Sequence, residues 1–512
     1  MESEVRAVIK KLKPRKAPGV DRIEGELIRL GGDVIIKKMH EICNKIWKTG
    51  HFPKLWTQSL IVVIPKKGDT TKCENNRTIS LICHASKIIL EIIRSRMKPR
   101  MEGLMAEEQA GFRPSRGTIE QIFSLRLLAE KYVELQDGEL YVIFIDFMKA
   151  FDRVWHEALW AILQHYGLQP KLVGLLEDLY KRTESAVIVG HDITEWFNQS
   201  VGVRQGCIMS PDLFNLYLEH IMRLALDRLN QEEVGASVGG RQLNNLRFAD
   251  DIGLLAETAD KAQQLLTRVD EESTKFGQAI HNKKTEWMWV RPTPKKNELS
   301  EHKEILLKGE PLAEVKTFKY LGATISSHGD CMPDIRIRTA TALSSMGDLQ
   351  KTWKGQGISM QTKMRLYNAL IQPIALYGCE TWTLRKAEEN KLLVFEMAAL
   401  RKILGVNRLD KIRNEEIRRR TGCHRTIVQV VCERQHRWLG HVLRMNDERI
   451  AKTVVQGKVE GTRRRGKPRA TWLKTIEERS KLSLHQASIE AQDRRRWKEL
   501  GSIIGTHVGL TS

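Results

Sequence analysis

Three aspartates in this chain have the surroundings that metal-assisted phosphoryl chemistry needs. Asp146 ends the apolar run LYVIFID (Leu140 to Asp146). Asp250 and Asp251 sit in RFADDIGLLA, flanked by Leu246, Phe248, Ile252 and Leu254 in period-two alternation. The first segment reads as a short buried strand that delivers an acid to its edge, and the second as a β-hairpin with two acids at its turn. Asp favours turns for local hydrogen-bonding reasons, so an Asp-Asp turn by itself is more often structural. The pairing with Asp146 changes that, because like charges at the ends of adjacent buried strands repel. The usual compensation is a hard divalent cation with oxygen ligands. Two such ions about 3.5 to 4 Å apart form the clamp of phosphoryl transfer. The three acids therefore point to a polymerase or a nuclease, with Mg²⁺ as the expected pair of ions and Mn²⁺ as a possible substitute.

The elements expected to position these acids can be read on either side of them. After Asp146, residues Phe151, Trp155, Leu159, Ile162 and Leu163 recur at helical spacing, which predicts a strand handing over to a helix. Gln205 lies in GVRQGC just before Ser210-Pro211-Asp212, which predicts a helix start with Ser as N-cap and Pro in the first position. The amides of that helix would face an anion. Leu213, Phe214, Leu216, Tyr217, Leu218 and Ile221 downstream read as core. A hairpin is expected over FKYLGATIS (318 to 326), then helical patterning from about Ile335 to Leu404.

The 512 residues suffice for two to four domains. The formal charge is +21, and residues 401 to 500 supply +15 of it, with 27 Lys and Arg against 12 Asp and Glu. Such an excess is the footprint of a polyanionic partner, nucleic acid first and an anionic membrane second. Polar residues around Arg291 to Ser300 and the basic stretch from Gly461 to Arg469 read as joints. No apolar run reaches the roughly 18 residues of a membrane span, and MESEVRAVIKKL has no signal-peptide core. A soluble, intracellular protein is expected, and the eight scattered cysteines fit reduced thiols.

Eight blocks, in order, resemble the reverse transcriptases of non-LTR (LINE-type) retrotransposons: KPRKAPGVDRIEGELIRLGG (13 to 32), LIVVIPKKGD (60 to 69), NNRTISLICHASKIILEIIRSRM (75 to 97), EEQAGFRPSRGTIEQIF (107 to 123), FIDFMKAFDRVWHEAL (144 to 159), GVRQGCIMSPDLFNLYLEHIM (202 to 222), FADD (248 to 251) and FKYLGATIS (318 to 326). The resemblance implies an α+β right-hand polymerase with an antiparallel-sheet palm, followed by a mainly helical basic region. The expected division is an N-terminal extension and part of the fingers over 1–135, palm with the rest of the fingers over 136–290, a connection with a hairpin over 291–330, thumb over 331–400 and a nucleic-acid-binding region over 401–512. Asp146 and Asp250 match the family's metal ligands, with Asp251 beside them. Arg77, with Lys66 or Lys67, matches the cations that grip the incoming triphosphate. Phe151 matches the steric gate against a ribose 2′-hydroxyl, and Lys284 matches a lysine proposed to protonate pyrophosphate. Gln205 would face the primer terminus and nucleotide sugar. The implied partners are an RNA template, a DNA primer or target and dNTPs, in the nucleus and without a membrane.

Several positions depart from the pattern: Thr78 stands where Pro or Gly is usual, Gln278 near a usual Leu and His281 near a usual Asn. The family's upstream endonuclease is also expected to be absent from this chain. Alternative readings are a catalytically impaired nucleic-acid-binding copy, a group II intron type enzyme or an RNA-dependent RNA polymerase. Phe151 argues against the last, which would need a small or polar residue there. In the basic region, Arg463, Arg464, Arg465, Lys467 and Arg469 resemble an extended minor-groove hook, with a solvated charge run or a nuclear localisation signal as the alternative. Cys423, Cys432, His436 and His441 are spaced C-x8-C-x3-H-x4-H, which lacks the close cysteine pair of a zinc knuckle, so zinc is not expected.

Overall fold

The computed structural model describes residues 1–512 except 67, 73–74, 293–303 and 508–512. Lys67 and most of the polar stretch from Arg291 to Ser300 thus lie outside the described residues. The chain forms two compact units that alternate along the sequence. One comprises Met1–Pro114, Asp146–Gln231 and Leu265–His281, and the other Ser115–Ile145, Glu232–Gln264 and Asn282–Ser512.

The first unit is helical around a small mixed sheet. Gln58–Pro65 pairs antiparallel with Asn76–Leu81 and parallel with Glu184–Val189. The helix His84–Leu104 and the helix Ser210–Gln231 each bury a long series of apolar side chains in it. The Ser210 helix begins at the serine itself, one residue earlier than expected, and the Ser210 hydroxyl meets that of Tyr180 at 3.4 Å. The helix predicted directly after Asp146 begins later than its pattern suggests. Lys149 takes a left-handed conformation (φ 50°), Ala150–Arg153 forms a single 3-10 turn, and the α-helix starts at His156. Phe151 therefore sits on the 3-10 turn.

The second unit is built on a five-stranded sheet in which Glu286–Val290, Leu140–Ile145, Asp251–Ala256 and Asn245–Phe248 are successive antiparallel neighbours. All six residues of Leu140–Ile145 are buried, which explains its unbroken apolar run. The helix Thr118–Glu134 shares one core with the strands, through Phe123, Leu127, Val142, Phe144, Leu246 and Met288. The hairpin Thr317–Tyr320/Ala323–Ser326 turns through Leu321 and Gly322, both at positive φ, and lays Phe318 flat on Phe144 at 3.8 Å.

The helices predicted from Ile335 to Leu404 form, but their core does not stop at residue 400. Ile335, Met346, Trp353, Leu392 and Leu400 pack in one cluster with Ile417, Ile427 and Val431. Further on, Leu439, Val454, Trp472 and Trp497 belong to the core of the five-stranded sheet. The basic C-terminal region is thus woven into the second unit by its apolar residues, which the charge count alone hides. Among the described residues no helix is long and apolar enough to cross a membrane.

Candidate active site

The turn between Asn245–Phe248 and Asp251–Ala256 is as short as a hairpin allows. Phe248 pairs with Asp251, leaving Ala249 and Asp250 as the connection. Ala249 is buried and has φ 56°, a position where Gly is usual. A side chain in this conformation is strained, and such strain collects at functional sites. It holds Asp250 half-buried at the apex and makes Asp251, which is exposed, the first residue of the returning strand. Ile252 pairs with Ile145 of the neighbouring strand, and the residue after Ile145 is Asp146. The strand register, more than local propensity, is what sets Asp250 and Asp251 at one end of this sheet.

Asp146 belongs by packing to the first unit, where its carbonyl accepts from the His281 amide at 2.8 Å and Phe147 bridges to Ile280. The Met148 amide donates to Ala279 in the same short ladder. This bond uses the His281 backbone, which any residue but proline supplies. Gln278, the other departure nearby, is buried and donates to the Ala150 carbonyl at 3.3 Å, bracing the 3-10 turn. Among the described residues no three His, Cys, Asp or Glu side chains are grouped closely enough to hold a metal. The donor chemistry of the aspartates is nonetheless all oxygen, which suits Mg²⁺ or Mn²⁺ and not a thiophilic ion.

Phe151 stacks on the buried Phe214 at 4.2 Å and 17°, and its own ring is half-buried. Its carbonyl accepts from the Val203 amide at 2.8 Å. Next to it, Gln205 donates to Asp152 at 2.9 Å while its carbonyl accepts from the Ser80 amide at 2.7 Å. Gly202 lies so close to Asp152 that a Cβ would come within 2.9 to 3.1 Å of its backbone, at φ +87°. The GVRQGC block thus wraps the 3-10 turn that bears Phe151. Arg77 is an exposed residue of the small sheet, and Lys66 is exposed just past the end of its strand Gln58–Pro65. Arg77 pairs across with Ile64, and the Lys66 amide donates to Asn75 at 2.7 Å. Lys284 is exposed, two residues before the strand Glu286–Val290.

Residue-type reasoning passed over one buried cluster. Asp212, in the first turn of the Ser210 helix, is buried against Lys98 at 2.6 Å and Arg94, so its role is to tie two helices together. The acid shows in the sequence, but its partners lie more than 100 residues away.

In the basic segment, the Gln136 amide donates to Thr462, the Arg464 amide donates to Glu134, and Leu135 bridges to Arg463. Arg463, Arg464, Arg465 and Lys467 are exposed, while Arg469 is partly covered. Burial, then the Arg385 charge, lower the Arg469 pKa. The expected five-cation run is thus four exposed cations and one tucked in. The two cysteines and two histidines at 423, 432, 436 and 441 have separate surroundings. Cys423 donates to the Arg425 carbonyl at 3.3 Å, Cys432 is buried, His436 stacks on Trp497 at 3.9 Å and His441 leans on Trp438.

The sheet buries its strands and brings out two acids at a strained hairpin. Residues 64–325 match the model of the family described as reverse transcriptase (RNA-dependent DNA polymerase), and the chain belongs to that family. Among relatives, it is 26% identical over 420 residues to the RNA-directed DNA polymerase from mobile element jockey of Drosophila funebris, covering 78% of this chain and 43% of that one. It is 27% identical over 313 residues to the Pol polyprotein from type-1 retrotransposable element R2 of Nasonia vitripennis, covering 60% and 29%. The chain therefore spans less than half the length of either relative. The resemblance to mobile-element polymerases drawn from the eight blocks holds over most of the chain. An apo telomerase from Candida tropicalis aligns over 60% of this chain and 64% of its own, with a TM-score of 0.39 and 14% identity, too distant to carry an argument.

Proposed function

We propose that this chain is an RNA-directed DNA polymerase that extends a DNA primer on an RNA template, with the second unit's sheet as the palm and the small sheet of the first unit in the fingers. The observation that carries the reading is the two-residue turn at Ala249-Asp250, which sets Asp250 and Asp251 beside the strand that runs on into Asp146. Asp146, Asp250 and Asp251 would hold the two Mg²⁺ ions. Those ions, when bound, supply the charge that activates the primer 3′-hydroxyl and steadies the triphosphate. Lys66 and Arg77 bind the phosphates from the exposed sheet edge, and the planar fork of Arg77 suits paired phosphate oxygens. Gln205 orients the primer terminus, and Phe151 excludes a 2′-hydroxyl by occupying its space. Lys284 delivers a proton to the departing pyrophosphate. The exposed cations of 463–467 bind the backbone of the primer or target duplex, consistent with work on DNA in the nucleus.

The test is primer extension on an RNA template with Mg²⁺ and dNTPs, then with rNTPs, using the wild type and Asp250→Asn. Synthesis with dNTPs that disappears in the variant, while template-primer binding persists, is the expected result. Substantial synthesis by the variant would sink the assignment of the acids.

A further inference from the structure

Phe112 has a backbone that an aromatic residue rarely adopts. Its φ is +56°, in the left-handed region where side chains other than Gly, Asn and Asp are uncommon. Such a conformation persists only where the surroundings over-determine it, and here they do. The Gly111 carbonyl accepts from the buried Asn215 side chain at 2.7 Å, and the Gly111 amide donates to the buried Gln109 side chain at 2.8 Å. On the other side, the buried Arg113 donates to the Ala106 and Gln109 carbonyls at 2.6 and 2.8 Å. The loop is clamped to the Ser210 helix at Asn215, next to Phe214.

The outcome of this clamping is an aromatic train. Phe112 meets Phe151 edge-on, with ring centroids 6.5 Å apart at 84°, and Phe151 lies flat on Phe214. Phe214 is almost completely buried, whereas Phe112 is 47% exposed, so burying the Phe112 ring does not account for the strained backbone. The Phe151 backbone is fixed by the Val203 amide, leaving rotation of its side chain as the freedom that remains. One face of the ring is closed by Phe214, and Phe112 meets the ring edge-on.

We infer that Phe112 is a positioning residue that holds the Phe151 ring in place, and so sets how strictly the enzyme distinguishes deoxyribose from ribose. This rests on the reading of Phe151 as the sugar gate. Phe112 need not touch the nucleotide. It acts by removing the side-chain rotation through which Phe151 would yield to a 2′-hydroxyl.

The experiment measures kcat/KM for a dNTP and the matching rNTP, with thermal melts, in the wild type, Phe112→Leu, Phe112→Tyr, Phe112→Gly, Phe151→Val and the double variant Phe112→Leu/Phe151→Val. Phe112→Leu and Phe112→Gly should lower the dNTP/rNTP ratio about 2- to 10-fold, the worth of an edge-to-face aromatic contact. The change should come from faster rNTP use. Phe112→Tyr keeps the ring and should keep the ratio. Phe151→Val should lower the ratio further, and adding Phe112→Leu to it should do nothing more, since residues acting through one another are not additive. If Phe151→Val shifts the ratio but folded Phe112→Leu and Phe112→Gly do not, the inference fails and the gate stands. Equal losses with both sugars, together with a lower melting temperature, would likewise overturn it. If Phe151→Val leaves the ratio unchanged, the gate reading itself is gone and this inference with it.

Discussion

The acids and the cations of this chain are mounted in opposite ways. Asp250 and Asp251 rise from a sheet whose central strand, Leu140–Ile145, is buried along its whole length, at a turn tight enough to force Ala249 to positive φ. The exposed cations sit at solvent-facing places: Lys66 just past the strand Gln58–Pro65, Arg77 near the start of Asn76–Leu81, and Arg463 to Lys467 on an irregular stretch. That stretch is nonetheless tethered by its backbone and continues into the fully buried Trp472. Metal ligands must be held to a fraction of an ångström, so they belong on rigid elements. Phosphate binding tolerates looser placement, because a point charge on a long flexible stem reaches the backbone of any sequence.

The largest effect should come from the rigid side of this comparison. Asp250→Asn is expected to cost at least about 1000-fold in primer extension, since about 4 kcal/mol of charge stabilisation in the transition state goes with it. The melting temperature should hardly move, because the acid is half-buried at a turn apex. Trp472→Ala should do the reverse. Its ring is buried edge-on to Phe123 at 4.7 Å, and its indole N–H donates to the Glu380 carbonyl at 2.8 Å. Removing it should destabilise the fold by about 3 to 5 kcal/mol, read in denaturant or thermal unfolding. If Trp472→Ala left stability intact while abolishing DNA binding, the basic region would be a separate module and the comparison would collapse.

A smaller effect isolates the cations themselves. Deleting the basic region cannot do this, because Ile417, Val431 and Trp472 are core residues. Replacing Arg463, Arg464, Arg465 and Lys467 together with Gln removes four exposed charges, at the cost of one ion pair between the largely exposed Arg463 and Glu134. The slope of log affinity against log salt for duplex DNA should then flatten by up to about 3.6, roughly 0.9 for each phosphate that is no longer neutralised, with unfolding unchanged. An unchanged slope would leave these residues as a solvated charge run.

The sequence was most informative where chemistry and period agree. LYVIFID reads as a buried strand because every residue before its terminal acid is apolar, and RFADDIGLLA reads as a hairpin because its alternation survives on both sides of the turn. The misplaced helix after Asp146 shows the limit of this reasoning. Phe151 and Trp155 fall on a helical period, but Lys149 at positive φ and the wrapping by Val203 and Gly202 convert the first turn to 3-10. The wrapping residues lie about 50 positions away, and a lysine carries no sequence signal for positive φ. The boundary expected at residue 400 came from charge, which reports the surface, whereas Leu400, Ile417 and Val431 are joined by packing beneath it. Phe112 was visible only as one letter of a motif, and what marks it out, a backbone angle, has no sequence signal outside Gly and Asn.

The smallest effect concerns how the basic segment is anchored, and it is read from pH. Glu130, on the helix Thr118–Glu134, accepts from the Trp472 amide at 2.8 Å and from the Thr383 hydroxyl at 2.5 Å. Burial raises its pKa from 4.5 to about 7, against the opposing pull of those two hydrogen bonds. A carboxyl whose pKa is raised on folding holds its proton more tightly in the folded state. Its contribution to stability is therefore complete below about pH 4.5 and is lost as pH rises toward 7. Glu130→Gln fixes the neutral form, and the Thr383 hydroxyl can turn to accept from the new amide while the Trp472 amide keeps its acceptor. The variant should equal the wild type near pH 4.5 and exceed it by the order of 1 kcal/mol above pH 7. His436 and His441, whose pKa values burial lowers, change stability in the opposite direction over the same range, so the quantity to plot is the difference between the two proteins. A difference that stays flat from pH 4.5 to 8 would show that Glu130 is ionised at no cost in the fold. A difference that grows with pH would show that a protonated carboxyl clips the start of the helix at Trp472 to the core of the sheet.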